Sequence, residues 1–547
     1  MPTQESLRIL RGMYPAGRGT AEHIPAGPQV KITPKHAQCR LFALAGNAHS
    51  PSDCFGWSAC LLYPLRGKKK LGRHIPFIHQ VARLVARIAS AAVPAILADI
   101  LTCGNLFALH KLDAAEQAEA AALGLPPSLR PVNTGCNFLK WALQLAVRSP
   151  AARGAARAME PLQSGLAKRG PEAFCHSLRA LREQGYAILK TDFINGFNEL
   201  SRQAVLDAVQ ERCPQLTSLF NLFYTTDGAC FYTVDGVVET IWSAEGVRMG
   251  CPLGSFGFDL TLQGPLERCA ARSPFTVVRS LTDDCNLAVL LPSGRDEARA
   301  VVLQLRAALD GLAADAKSNL NLDLNLAKCA LLLPPGHALL EEDLECFEGI
   351  KLPARGMRVA GAPIGDDDYC AEFVGQKVDA ALAKCRALRG IHPQVGMLLM
   401  RKCCVVALNY LSQVVPPSLT AQHFARFDEE LAAFVAELLT LPGRPQGLAC
   451  AEERMSVFRQ RLRLPTRFNG AGLLGVDGVG PAAFVGSVIS CCEVDPVLTS
   501  HIAGLTRFAA PAVRLLLERL APLGNELASK VLLLPLEAPV DLFNPAR

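Results

Sequence analysis

The chain has 547 residues, half of them apolar and 19% charged, with a formal net charge of +6 at pH 7. That is either more than one domain's worth of chain or a single large multi-lobed enzyme, and the composition argues against disorder over most of the length. The mild positive balance permits a local basic groove without demanding one. Twenty cysteines are scattered singly from Cys39 to Cys492, apart from two adjacent pairs, and no C-x-x-C occurs. This spacing fits neither a zinc site nor a disulfide framework. Reduced, buried thiols in an intracellular protein are expected. The N-terminus lacks the apolar core of a signal peptide. The longest apolar run, "IASAAVPAILADILTC", is broken by Pro94 and Asp99, so no membrane segment is expected.

In chain order, residues 1–50 are rich in Gly, Pro and basic residues without clear periodicity and read as a loop-rich extension. A short strand and a basic turn, "RGKKK", lead to an amphipathic helix with Val81, Leu84, Val85 and Ile88 on one face. Residues 113–127 read as a helix ending at Gly124, and residues 151–170 show no strong period. "PEAFCHSLRALREQG" reads as a helix between Pro171 and Gly185. "YAILKTD" is a short apolar strand ending at Asp192, and "SRQAVLDAVQERC" is a helix capped by Ser201. Beyond residue 290 come the long amphipathic helix "DEARAVVLQLRAALDGLAADA" and the strands "LNLDLNLAKCALLLP" and "MRVAGAPIG". Residues 372–440 are helical in pattern. A glycine-rich break from Arg467 then precedes a final helical stretch.

"FTVVRSLTDDCNLAVLLP", residues 275–292, reads as strand, tight turn, strand, with Asp283 and Asp284 adjacent at the bend. Neighbouring carboxylates repel, and an ordinary turn needs only one Asp, or Asn and Gly. Either a divalent cation offsets the charge or the bend is solvated surface. Asp192 ends a strand 91 residues before Asp283, far enough for the two strands to pair in one sheet. Three Asp at adjacent strand ends suit two Mg²⁺ ions about 3.5–4 Å apart, which clamp attacking and leaving oxygens in phosphoryl transfer. Mg²⁺ takes a few carboxylates together with substrate phosphate oxygens.

"LKTDFINGFNELSR" resembles the first catalytic motif of reverse transcriptases of the non-LTR retrotransposon type, usually D-x-x-x-A-F-N. "SAEGVRMGCPLGSFGF" resembles their second motif, and "LTDDCNL" their x-x-D-D box. "LDLNLAKCALL" resembles the L-N-x-x-K segment and "GMRVAGAPIG" the primer-grip hairpin. Upstream, "RHIPFIHQVARLVAR" and "PLQSGLAKRGPEAFCHSLRAL" are similar to finger segments. "LPTRFNGAGLLGVDGVGPAAFVGS" is similar to a segment found after the thumb. The matches keep their order across roughly residues 60–490.

The resemblance implies an α+β, right-hand polymerase fold with fingers, a palm whose antiparallel sheet packs on helices, and a helical thumb. It implies an N-terminal extension over 1–50, fingers and palm over 51–371, thumb over 372–465 and a C-terminal helical region over 466–547. Asp192, Asp283 and Asp284 would be the Mg²⁺ ligands, with Mn²⁺ as a substitute. Phe197 would be the steric gate that selects deoxynucleotides. Arg73 would contact the incoming dNTP triphosphate, as suits a guanidinium. Gly250 and Pro252, with Gly246, would let the backbone approach nucleotide and template. Lys328 would protonate the departing pyrophosphate. Lys377, Arg386 and Arg389 of the thumb would hold duplex phosphates.

The chain departs from the pattern at Gly196 (usually Ala), Met249 (usually Gln), His74 (usually Pro) and Thr282. Residues 90–158 exceed the usual connection. The implied activity is RNA-directed DNA polymerisation on an RNA template with a DNA primer, as part of a retroelement. Neither a nuclease signature nor a zinc cluster is evident, so nicking would fall to a separate endonuclease partner, and the chain reads as a polymerase-bearing fragment of an element. A nuclear location follows from retroelement lifestyle. The alternative is a decayed or domesticated descendant that binds nucleic acid without polymerising.

Overall fold

The computed structural model describes residues 2–44, 76–439 and 452–492 apart from 19–20, 26–28, 112–116, 119–120, 465–469 and 474, together with 53, 55, 57, 512, 514 and 515. Its described strands are β1 (Gly104–His110), β2 (Leu129–Gly135), β3 (Tyr186–Lys190), β4 (Gly228–Val234), β5 (Val237–Ser243), β6 (Val277–Leu281), β7 (Asp284–Leu290), β8 (Ala330–Leu332), β9 (Gly356–Val359) and β10 (Ala362–Gly365). Helices accompany predominantly antiparallel sheets, the α+β class expected. The chain folds as two compact units that alternate along the sequence. The first comprises Met1–Ala167, Asp192–Pro274 and Ala307–Leu326; the second comprises Lys168–Thr191, Phe275–Arg306 and Ala327–Arg547.

In the first unit, β2, β1, β4 and β5 form one sheet in that order. The two hairpins β1–β2 and β4–β5 are joined by a short parallel pairing, Gly104 opposite Cys230 and Asn105 opposite Phe231. The sequence reading anticipated neither hairpin. Its loop-rich N-terminus is likewise corrected by a helix over Gln4–Met13. Thr3 starts that helix with a capping box: its hydroxyl accepts from Ser6 N–H, and the Ser6 hydroxyl accepts from Thr3 N–H. Leu7 and Leu10, one turn apart, then pack on Leu106, Cys230, Tyr232, Val234 and Ile241. Residues 151–170, without evident period, contain the helix Pro150–Met159, capped by Ser149.

In the second unit, β6, β7, β3 and β8 form an antiparallel sheet in that order. The helix Gly170–Glu183 covers one face. Phe174, Leu178 and Leu181 recur at helical spacing and bury against Ile188, Ala288, Met357, Val359 and Ile364. β9 and β10 form a hairpin whose turn residues, Ala360 and Gly361, both have positive φ, the primed geometry that matches strand twist. Arg179, buried on the covering helix, donates to Pro363 O (2.8 Å) and Val414 O (3.2 Å), tying the hairpin to the helical part.

That part carries its own core. Val374 and Val378 meet Met400, Cys404, Leu408 and Val414, with Phe424 and Phe427 closing over them. The run Pro393–Val414 is, by length and composition, apolar enough to cross a membrane, whereas no such segment was expected. A single turn of π-helix over Met400–Cys404 interrupts it. Among the described residues no cysteine is joined in a disulfide.

His176, inside one of the quoted finger segments, is fully buried, 3.1 Å from Ser487 Oγ and edge-on to Phe484. Burial, and then the Arg179 charge, pull its pKa down to about 3. In the folded chain the ring is neutral, whereas in the unfolded chain it protonates near pH 6.5. Below pH 6.5 the unfolded state therefore binds more protons. The stability present above that pH is lost as pH falls toward 3, at up to about 1.4 kcal/mol per unit. A His176→Asn variant is expected to show a smaller fall in melting temperature between pH 7 and pH 5 than the parent. Equal falls in thermal melts at the two pH values would refute this account.

Candidate active site

The β6–β7 connection has two residues, Thr282 and Asp283, with Leu281 opposite Asp284. Thr282 adopts φ +57°. The first position of a primed two-residue turn requires positive φ, but a β-branched side chain occupies it only under strain. The Ser280 hydroxyl donates to Thr282 O (2.9 Å), and Cys285 N–H donates to Asp283 O (3.0 Å). These bonds draw the bend tight. Asp283 is exposed and Asp284, the first residue of β7, is half-buried. Both adjacent carboxylates of the expected hairpin are thus held at the bend.

Register fixes what surrounds them. Arg279 of β6, Asn286 of β7, Lys190 of β3 and Ala330 of β8 form one row across the sheet. Beyond this row lie the bend, the exit of β3 and the entry of β8. Lys190 Nζ stands 3.7 Å from Asp284 Oδ1 and donates to Arg358 O of the β9–β10 hairpin. Thr191 continues β3 by donating both its amide (2.9 Å) and its hydroxyl (3.1 Å) to Cys285 O. Lys328, two residues before Ala330, is exposed at the end of a 3₁₀ turn. Asp284 and Lys328 therefore belong to one edge of one sheet.

Asp192 is the next residue after Thr191 in the chain and belongs to the first unit. Its carbonyl accepts from Asn325 N–H (2.8 Å), and Phe193 bridges Leu324. The three carboxylates are thus divided, one in the first unit and two in the second. Among the described residues no group of three or more His, Cys, Asp or Glu is assembled around a metal position. The doublet alone offers two hard oxygen ligands at an exposed bend, a donor type that suits Mg²⁺.

Phe197 is half-buried and stacked on Phe258, ring centroids 4.8 Å apart and planes 9° from parallel. A Cβ added at Gly196 would meet Phe193 and Phe258 at ordinary contact distance, so the site has room for the usual alanine. The second-motif segment docks on the first through main-chain bonds, Gly246 N–H to Leu200 O and Val247 N–H to Phe197 O (2.7 Å). Gly246 has φ +66°, and a Cβ there would come within 2.3 Å of Phe197 O. At Gly250, with φ +94°, a Cβ would come within 2.7 Å of Asn133 O. In the described fold both glycines serve close approach of the chain to itself. Pro252 opens the helix Pro252–Arg272, where its missing N–H is harmless. Arg73, His74 and the "RGKKK" turn lie outside the described residues.

Two residues of these same stretches were not singled out by the sequence reading. Arg202, following the cap Ser201, is buried and donates to Gly246 O and Thr226 O (3.1 Å each) and to the Ser243 hydroxyl. Burial, and then the Arg248 charge, lower its pKa to about 10. Arg248 lies over the Tyr224 ring at 4.9 Å and donates to Phe223 O (2.9 Å). Their places inside the quoted motifs were the available signal; burial was not legible.

The arginines of the expected thumb, assigned there to duplex phosphates, are engaged within the chain. Arg386 pairs with Glu430 (2.7 Å) and Arg389 with Glu437 (3.1 Å), while Lys377 lies over Phe373. Exposed pairs of this kind contribute about 0–1 kcal/mol.

No family model matches the chain. It is 25% identical over 236 residues to the retrotransposable element SLACS 132 kDa protein of Trypanosoma brucei gambiense. The match covers 43% of this chain and 18% of that protein, so the chain spans well under two thirds of its relative. Among solved structures, a telomerase from Candida albicans in complex with a telomeric RNA fragment aligns at TM-score 0.35 and 10% identity, over 68% of each chain. The apo telomerase from Candida tropicalis aligns at TM-score 0.36 and 8% identity, over 76% of this chain and 67% of the other. Scores at this level do not establish a shared fold. The ordered motifs and the similarity to a retrotransposable element protein point the same way, and the chain is reverse-transcriptase-like.

Proposed function

We propose that the chain is the polymerase part of a non-LTR retroelement protein, a right-hand RNA-directed DNA polymerase that extends a DNA primer with dNTPs on an RNA template. The observation that carries this reading is the pair Asp283–Asp284, held on a strained two-residue bend at the sheet edge where β3 leaves toward Asp192. A solvated turn needs neither two carboxylates nor a left-handed threonine. Strain of this kind, about 1–3 kcal/mol, persists where the surroundings enforce it and clusters at functional sites.

In this reading Asp192 joins the doublet, and the three would hold two Mg²⁺ ions, with Mn²⁺ as a substitute. Bound there, the ions supply charge that stabilises the attacking 3′-oxygen and the departing pyrophosphate oxygen. Lys190 offsets part of the doublet's charge at Asp284 and fixes that carboxylate against the β9–β10 hairpin. Lys328, exposed at the same edge, would donate a proton to pyrophosphate. Phe197, stiffened by its stack on Phe258, would bar a ribose 2′-hydroxyl. Gly250 and Pro252 shape the segment that faces nucleotide and template, and Arg73 is assigned to the triphosphate. The thumb ion pairs are weak enough to exchange glutamate for nucleic-acid phosphate. Nicking of the target falls to a separate endonuclease. Met249, where an amide is usual, favours one alternative, a descendant that binds nucleic acid without polymerising.

Primer extension on poly(rA)/oligo(dT) with Mg²⁺ tests the reading. Asp283→Ala and Asp192→Asn are each expected to lower extension at least about 100-fold while primer–template binding is retained. A parent protein that extends nothing in Mg²⁺ or Mn²⁺ would establish the non-polymerising alternative. Phe197→Ala is expected to admit ribonucleotides, lowering dNTP over NTP discrimination about tenfold or more. Unchanged sugar selectivity in single-nucleotide incorporation would remove the gate role.

A further inference from the structure

The four-stranded sheet of the first unit has one face buried and one open. Strand alternation and register put Phe107, Phe231 and Trp242 on the open face, on three successive strands β1, β4 and β5. Phe107 is 49% exposed and Trp242 58%, and Phe231 is half-buried. The alternating neighbours Leu106, Cys230, Tyr232 and Ile241 are buried beneath the N-terminal helix. Each ring is displaced from the next by one strand and two residues, which places them roughly 8 Å apart on a diagonal. A soluble sheet exposing three aromatic rings in line asks for a partner with flat apolar faces.

Charge narrows the choice of partner. Arg130, opposite Leu109 in β2, is exposed on the same face, and no strand residue of that face is acidic. Val132 and Thr134, also on this face, continue into a cavity of about 190 Å³ lined further by Asn137, Lys140, Arg248, Met249 and Pro252. Arg248 and Asn133 at this cavity are at least nine-tenths buried, and Arg248 Nε and Nη2 and Asn133 Oδ1 carry no hydrogen bond. These atoms lie against Gly228 and Gly104 rather than in the cavity, whose apolar wall includes Leu139 and Leu143 and whose exposed cation is Lys140.

We propose that this face is a platform for single-stranded RNA, whose bases stack on Phe107, Phe231 and Trp242 while the adjoining cavity receives one nucleotide. Ring faces stack any base, and Arg130 and Lys140 meet the backbone, so recognition is largely sequence-independent. The strand would end against Met249–Pro252, the segment assigned to the template. The face itself is defined without reference to polymerisation.

Fluorescence anisotropy of the full chain with a labelled, unstructured 12-nucleotide RNA at fixed salt tests the platform. Phe107→Ala and Trp242→Ala are each expected to weaken binding about tenfold. Trp242→Phe, which keeps a ring, should stay near the parent, and affinity for an RNA duplex should not change. Asp283→Ala should leave all these affinities intact, so failure of the polymerase reading and failure of the platform are separable. Unchanged single-strand affinity in the doubly substituted, folded protein overturns the proposal. So does a fall from dimer to monomer on gel filtration without loss of RNA binding, which would assign the face to a second copy of the chain.

Discussion

The pairing of β3 with β7 is the constraint on which the candidate site depends. Because side chains alternate, a slip of one residue would turn every group on β7 to the opposite face. Asp284 would then leave Lys190, and Ala288 would turn away from the apolar layer beneath the covering helix. The register is pinned from two directions. Ala187, Ile188 and Leu189 against Leu287, Ala288 and Val289 fill both faces of the sheet. Thr191 then grips Cys285 O with amide and hydroxyl, past the last paired residue of β3. A doublet carried at the bend inherits its position from that grip rather than from its own turn, which can therefore tolerate an unfavourable residue such as Thr282.

Arginine recurs as the internal fastener. Arg179, Arg202 and Arg248 are buried, and each donates to main-chain carbonyls of distant segments. A buried guanidinium is costly unless its donors are satisfied. One fork can, however, fix two or three carbonyls that no secondary structure pairs. Arg202 does this at Gly246 and Thr226, so a helix after the first motif and a loop in the second become one body. Arg248 differs, because its Nε and Nη2 carry no bond and lie close beside Gly228.

How much was legible in the sequence follows from how local each signal is. The hairpin at 275–292, the capped helix from Ser201 and the long helix Arg295–Leu320 announce themselves through alternation, a cap residue and sustained helical period. The helix Gln4–Met13 buries only Ser6, Leu7 and Leu10, too short a stripe to register as a period. "GNLFALH" and "LRPVNTG" combine glycine, proline and asparagine, which disfavour strands. They are strands because β1 finds β4, a partner more than a hundred residues away, and because Pro131 sits on the edge strand where no ladder donor is missed. For the candidate site, residue identity was readable and burial was not. The stack of Phe197 on Phe258, the carbonyl contacts that require Gly246 and Gly250, and the glutamates paired with Arg386 and Arg389 all depend on long-range packing.

The pairs Arg386–Glu430 and Arg389–Glu437 bear on how the proposed polymerase would bind a polyanion with a net charge of only +6. Free cations on the surface would raise nonspecific attraction for any nucleic acid. Cations held in weak pairs with Glu430 and Glu437 are screened until a phosphate competes for them. Each exchange trades a solvated carboxylate for a phosphate whose release of counterions adds a salt-dependent gain. Attraction then grows only where several phosphates arrive in register, as along a duplex. The aromatic sheet face follows a complementary logic, since stacking depends on exposed base faces that a duplex does not present. If both proposals hold, the chain would separate two forms of nucleic acid, duplex by exchanged ion pairs and single strand by rings.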